Sequence, residues 1–202
     1  MVAHDGVFLE DFEKITESKE SLKKKYLQLD KDKFVVLYSG SLQKGKGFEL
    51  ILGAAKKILD VYFVIIGNNN SNNEVKLDNL IFVGQREQQK IPYYLKSADL
   101  LLLPNTKALF YWQFTSPLKL FEYMASGVPI LTSNLGSIGE ILNENNSFLF
   151  SSDDLTELVK KVQYIRDNKG EAGLKSIKAS EDVRKYAWPE RVKNILDFIE
   201  CG

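Results

Sequence analysis

The chain has 202 residues, 44% of them hydrophobic, enough to bury one sizeable core without staples. Its 27 basic and 27 acidic side chains cancel, which excludes a global field drawing it to nucleic acid or to an anionic membrane and leaves any charge specificity to be local. The only cysteine, Cys201, excludes an internal disulfide, and the only histidine, His4, reads as a linker residue and excludes a histidine-based triad or a multi-histidine metal site. The longest apolar runs, "VYFVIIG" and "DLLLLP", are far shorter than the roughly 20 residues of a spanning helix. A soluble, cytoplasmic chain in a reducing compartment is the expectation.

Residues 1–33 are rich in charge and read as a lead-in with one outer helix at about 18–28. From residue 34 onward, apolar runs of strand length alternate with amphipathic helical stretches. The spacing predicts strands at 34–38, 61–66, 80–83, 99–103, 128–132 and 148–150. It predicts helices at about 47–59, 87–97, 117–126, 137–142, 153–167 and 188–200, with a weaker one at 170–182. Runs such as "FVVLY" and "LLLL" are apolar on both parities, so both faces of each strand must be covered. The fold class is therefore α/β, a doubly wound, mostly parallel six-stranded sheet with helices on both faces. Residues 34–186 form its body, 187–202 carry a last helix, and the polar tract "NNNSNNE" after Gly67 reads as a loop.

Residues 40–47, "GSLQKGKG", satisfy the phosphate-cradling P-loop pattern except at the end, where Gly47 replaces the hydroxyl residue that ligates magnesium. A P-loop nucleotidase also needs an acid at the end of a buried strand, yet these strands end in Gly67, Gly84, Pro104 and Thr132. A dinucleotide fingerprint lacks its third glycine. What remains is more general: glycines that let backbone N–H groups approach a ligand, the Lys46 cation, and a helix whose positive dipole end faces the same space. A plain turn with solvated lysines is the competing reading.

"FTSPLKLFEYMASGVPILTSN" supplies a second helix start, with Ser116 as cap and Pro117 at the first helical position. Leu118, Phe121, Met124 and Ala125 recur at helical spacing and face the sheet, leaving Lys119 and Glu122 on other arcs. Glu122 is placed to accept hydrogen bonds from a diol, against the plainer reading of an exposed helix glutamate. "SSDDLTEL" resembles an acidic metal motif, but its polar cap and early acids fit an ordinary helix start. Trp112 is either packing or an aromatic wall.

Five stretches in order, "HDGVFLEDF", "LYSGSLQKGKGFELIL", "NLIFVGQREQQKIPYYLKSADLLLLP", "SPLKLFEYMASGVPILTSN" and "YAWPERVKNILDFI", give the chain its closest resemblance. It is similar over essentially its whole length to the C-terminal, nucleotide-sugar-binding domain of family 4 retaining glycosyltransferases, which have the GT-B fold. The resemblance implies transfer of a hexosyl group from a nucleoside-diphosphate sugar to a saccharide or lipid-linked acceptor, with no metal and no further cofactor. Lys46 and Gly40 lie at the diphosphate-binding lysine and the glycine opening the turn, and Lys46 and Glu122 are the implied catalytic residues. Ser41 stands where many members carry an arginine, leaving Lys44 or Lys119 to supply that charge. Gln85, Arg86 and Ile91 line up with the nucleobase pocket, and Leu118 with the backbone contact to the diphosphate. Glu122 matches the second of the family's paired glutamates, which holds the ribose, whereas Phe114 replaces the first, near the donor sugar.

The resemblance also implies an acceptor-binding N-terminal domain absent from these residues, peripheral membrane association of the full enzyme, and a role in surface-polymer synthesis. Met1 before "VAHDGV" reads as a start at an interdomain junction, and the isolated chain is expected to bind donor weakly and transfer it negligibly. The rivals are a magnesium-dependent nucleotidase and a noncatalytic α/β interaction domain.

Overall fold

The structure is a computed structural model and describes residues 5–68, 75–108 and 118–200. Six strands, β1 (Phe34–Ser39), β2 (Val61–Ile66), β3 (Leu80–Gly84), β4 (Leu100–Leu103), β5 (Ile130–Ser133) and β6 (Phe148–Phe150), form one sheet in the order β3-β2-β1-β4-β5-β6. Every strand pairing is parallel, from Phe34 opposite Val61 to Ser133 opposite Phe150. The sheet is doubly wound, with its topological switch between β1 and β4.

Alternate side chains of each strand enter two separate cores. Val35, Leu37, Leu101 and Leu103 face α4 (Ile91–Lys96) and α5 (Leu118–Ser126), where Leu95, Phe121 and Met124 close one core. Val36, Tyr38, Leu100 and Leu102 face α3 (Phe48–Lys57) and α6 (Leu155–Asp167), where Ile51, Ala54, Leu158 and Val162 close the other. This is the physical reason that the strands are apolar on both parities.

The lead-in holds two short helices, α1 (Glu10–Glu13) and α2 (Lys19–Leu22), the latter running into a π-helical turn over Lys23–Leu27 that ends at Gln28 with φ 56°. The helix expected at 137–142 is a correction: only a 3-10 turn, Gly136–Ile138, forms there. Gly136 has φ 36° and Gly139 follows, so the backbone turns away, while Ile138, Ile141 and Leu142 are still buried at their apolar spacing. The expected start of β5 at 128 is likewise late, because Gly127 (φ 71°) and Pro129 precede the first ladder residue, Ile130. Helix α7 (Lys169–Asp182) packs on α5 and α6, and α8 (Trp188–Glu200) buries none of its residues. Among the described residues no helix is long and apolar enough to cross a membrane.

At the amino end of the sheet, Lys23 is only 2% exposed, and its Nζ donates to Asp99 Oδ2 and to the Lys33 carbonyl, both at 2.7 Å. Asp99 also accepts from Lys19 Nζ (2.7 Å) and from the Val35 N–H (2.9 Å). Burial opposes its ionisation, but the hydrogen bonds from Lys19 and Lys23 outweigh that and lower its pKa. Its stabilising contribution is thus present above the ordinary aspartate range and lost as pH falls through the lowered value. Asp99→Ala strands the Lys23 charge and should cost about 3–5 kcal/mol in urea denaturation, and the double variant with Lys23→Met should recover most of that loss.

Candidate functional site

The turn after β1 is pressed onto the carboxyl ends of its neighbours. The Gly40 N–H donates to the Ile66 carbonyl at 2.8 Å and the Thr106 N–H to the Gly45 carbonyl at 2.9 Å. Glycine is required at two of these approaches: a Cβ on Gly47 (φ 81°) would strike the Pro104 carbonyl, and one on Gly67 (φ 150°) the Gly40 carbonyl. Helix α3 then starts at Phe48 after Gly47, which has no side chain to cap the free N–H groups of the first turn.

A cleft of about 410 Å³ opens beside this turn, at the carboxyl end of the sheet, between the ends of β1, β2 and β3 and the starts of α4 and α5. Of the residues singled out in the sequence, Gly40, Gln85, Arg86, Ile91, Leu118, Lys119 and Glu122 line it. Ser41 and Lys46 sit in the adjoining turn, outside the lining itself. Phe114, Ser116, Trp112, His4 and most of the "NNNSNNE" tract lie outside the described residues.

Its electrostatics are unusual. Lys46 is half-buried, and burial lowers its pKa. Lys119 is pushed down to about 7, first by burial and then by the Lys46 charge, with Glu122 opposing. Neither ammonium has a carboxylate within ion-pair distance among the described residues. The Lys119 Nζ donates instead to the Tyr38 hydroxyl at 3.0 Å and lies 4.2 Å from the centre of that ring. Tyr38 in turn donates to the Ser41 carbonyl at 2.8 Å, and burial raises its pKa. On the other rim, Arg86 is held by the Tyr94 hydroxyl and the Gln85 carbonyl, both at 3.0 Å.

Burial raises the pKa of Glu122, while a hydrogen bond from Gln88 Nε2 to its Oε1 at 2.5 Å counters the shift. Sequence reasoning missed Gln88, which also lines the cleft; the polar run before α4 was its only signal. It also missed Tyr123, whose hydroxyl accepts from the Ser39 N–H at 2.8 Å and pins α5 to the end of β1. Asn105, at the end of β4, has both amide atoms buried with no partner among the described residues. Asp153 and Asp154 behave as a helix start: Asp154 accepts from the Glu157 N–H at 2.9 Å, and Glu157 accepts from the Ser151 N–H at 2.8 Å.

The fold and this cleft can be set beside known proteins. Residues 33–168 match the family described as glycosyl transferases group 1, and the chain belongs to that family. It is 27% identical over 137 residues to the putative teichuronic acid biosynthesis glycosyltransferase TuaH of Bacillus subtilis, an alignment covering 65% of this chain and 34% of TuaH. Anabaena HepE in complex with UDP and glucose superposes with TM-score 0.82 at 17% identity, over 99% of this chain and 56% of HepE. The C-terminal domain of the group 1 glycosyl transferase LpcC from Francisella tularensis superposes with TM-score 0.72 at 18% identity, over 91% of this chain and all of that domain. The sheet is thus the Rossmann-like half found in GT-B glycosyltransferases. The chain spans 34%, 43% and 49% of the length of three curated relatives.

Lys119, with no carboxylate at ion-pair distance among the described residues, destabilises the fold where it is charged. Because its folded pKa lies below its unfolded one, stability rises as pH climbs from about 7 toward the ordinary lysine value. Lys119→Met should therefore raise the melting temperature by about 3 °C at pH 6, roughly 1 kcal/mol for a chain this long, and the gain should shrink steadily by pH 10 in a scanning-fluorimetry series.

Proposed function

We propose that the chain is the donor-binding half of a family 4 retaining glycosyltransferase. Its reaction would move a hexosyl group from a nucleoside-diphosphate sugar to a saccharide or lipid-linked acceptor, as in surface-polymer synthesis. One observation carries the reading: Lys46, an ammonium with no carboxylate at ion-pair distance among the described residues, stands beside a cleft that also holds the half-buried carboxylate of Glu122, at the carboxyl end of a doubly wound sheet. HepE has been crystallised with UDP-glucose as well as UDP, which supports a nucleotide sugar as the ligand of this cleft.

Charge develops on the diphosphate as the glycosidic bond breaks, so fixed N–H dipoles and Lys46 stabilise the transition state more than the ground state. Gly40 lets the backbone approach the phosphates, and the N–H groups at the start of α5, at Leu118, face them from the other side. Glu122 holds the ribose hydroxyls, and Gln85, Arg86 and Ile91 receive the base. The donor-sugar position falls to Phe114 by resemblance alone, since that residue lies outside the described ones. No metal and no cofactor takes part in this scheme.

Transfer also needs an acceptor-binding domain. The exposed Val192, Leu196, Phe198 and Ile199 of α8 form an apolar face that such a domain would cover. The isolated chain then binds donor but turns it over negligibly.

Calorimetric titration with UDP, GDP and ADP, with and without EDTA, tests the reading. One of the three should bind independently of metal. Lys46→Ala should weaken that binding at least tenfold, the loss of about 1.5–3 kcal/mol expected for a hydrogen bond to a charged group. Glu122→Ala should erase the preference for a ribo- over a 2′-deoxyribonucleotide. Metal-dependent hydrolysis, or no binding at all, would overturn the proposal.

A further inference from the structure

We infer that Lys119 is the second cation of the diphosphate subsite, standing in for the charge that Ser41 lacks, and that it takes up a proton when the ligand binds. The inference rests on the donor-binding reading above and goes beyond it in assigning the charge to one side chain and coupling binding to pH.

The geometry comes first. Lys44 is exposed and does not line the cleft, whereas Lys119 does. A Cβ on Gly40 would lie 2.5 Å from the Lys119 Nζ, so the amine is packed against the backbone of the glycine that opens the turn. The relay from Lys119 Nζ to the Tyr38 hydroxyl (3.0 Å) and on to the Ser41 carbonyl (2.8 Å) ties it to the residue that carries no charge. Helix α5, packed against β1 and β4, thus delivers a cation to the turn.

The charges around it show what is missing. Lys46 faces it from the turn and repels it, and Arg86 stands across the cleft, bonded to Tyr94 and Gln85. Tyr38 offers from β1 only a neutral hydroxyl and the face of a ring. Glu122, one turn along α5, attracts it but spends a carboxylate oxygen on Gln88. Like charges brought together in a half-buried site, with no acidic side chain between them among the described residues, are unfavourable, and a diphosphate removes that penalty. With its pKa pushed down to about 7, Lys119 of the free protein loses its proton at mildly alkaline pH, and an arriving diphosphate restores it.

The test titrates the best-binding of UDP, GDP and ADP into the chain between pH 7 and 9, in buffer pairs of different ionisation enthalpy. A terminal phosphate with its second pKa near 6 is essentially fully ionised at about pH 8.5, so it contributes no proton of its own there. Wild type should take up close to one proton per ligand at pH 8.5, and its Kd should rise up to tenfold per pH unit. Lys119→Arg, always charged, should bind with no uptake and a flat profile. Lys119→Met should bind at least tenfold more weakly at pH 7, also without uptake. If Lys119→Met binds and takes up protons like wild type while Lys46→Ala does not bind, this inference falls and the donor-binding reading stands. If wild type binds none of the three nucleotides, both fall.

Discussion

The site depends on backbone meeting backbone. Gly47 lies against the carbonyl of Pro104 and Gly67 against that of Gly40, with no room for a side chain at either point. These two approaches draw the turn after β1 down across the ends of β2 and β4, which is what brings Lys46 beside the switch point rather than leaving it on an outer loop. Tyr123 completes the arrangement from the other side by fixing α5 to the end of β1. The positions of both lysines and of Glu122 therefore follow from main-chain packing, which does not rely on the charges it displays.

The two ends of the sheet handle charge in opposite ways. At the amino end, the nearly fully buried Lys23 is matched by Asp99 and a carbonyl, and the carboxylate is itself bonded to a second lysine and a backbone N–H. At the carboxyl end, Lys46 and Lys119 share a half-buried space with no carboxylate at ion-pair distance among the described residues. A chain that pairs a buried lysine with a carboxylate at one end leaves two without such a partner, among the described residues, at the other. The cost in stability falls where a ligand can offset it.

The strands were legible in the sequence because burial on both faces leaves an unbroken apolar run, and the observed sheet follows those runs closely. The stretch at 137–142 misled because its apolar spacing serves packing, and the glycines at 136 and 139 break the helix that such spacing would otherwise favour. The placement of Glu122 and of Gln85 and Arg86 at the cleft, and of Lys46 in the turn beside it, was legible from the helix spacing and from the positions after strand ends. Gln88 was not, since its bond to Glu122 joins positions 34 residues apart and depends on how α4 and α5 lean together. Tyr38 was hidden for a related reason: it reads as a core aromatic, and its ring is one, but its hydroxyl reaches the Lys119 amine across 81 residues of chain.

The contact between Gln88 and Glu122 acts as a latch across the cleft. One carboxylate oxygen already accepts an amide from the opposite lip, so under the proposed role of Glu122 a diol engaging both oxygens would exchange one bond and add only one. Binding there would be partly competitive with the protein's own side chain, and the second hydroxyl would contribute less than it would to a free carboxylate.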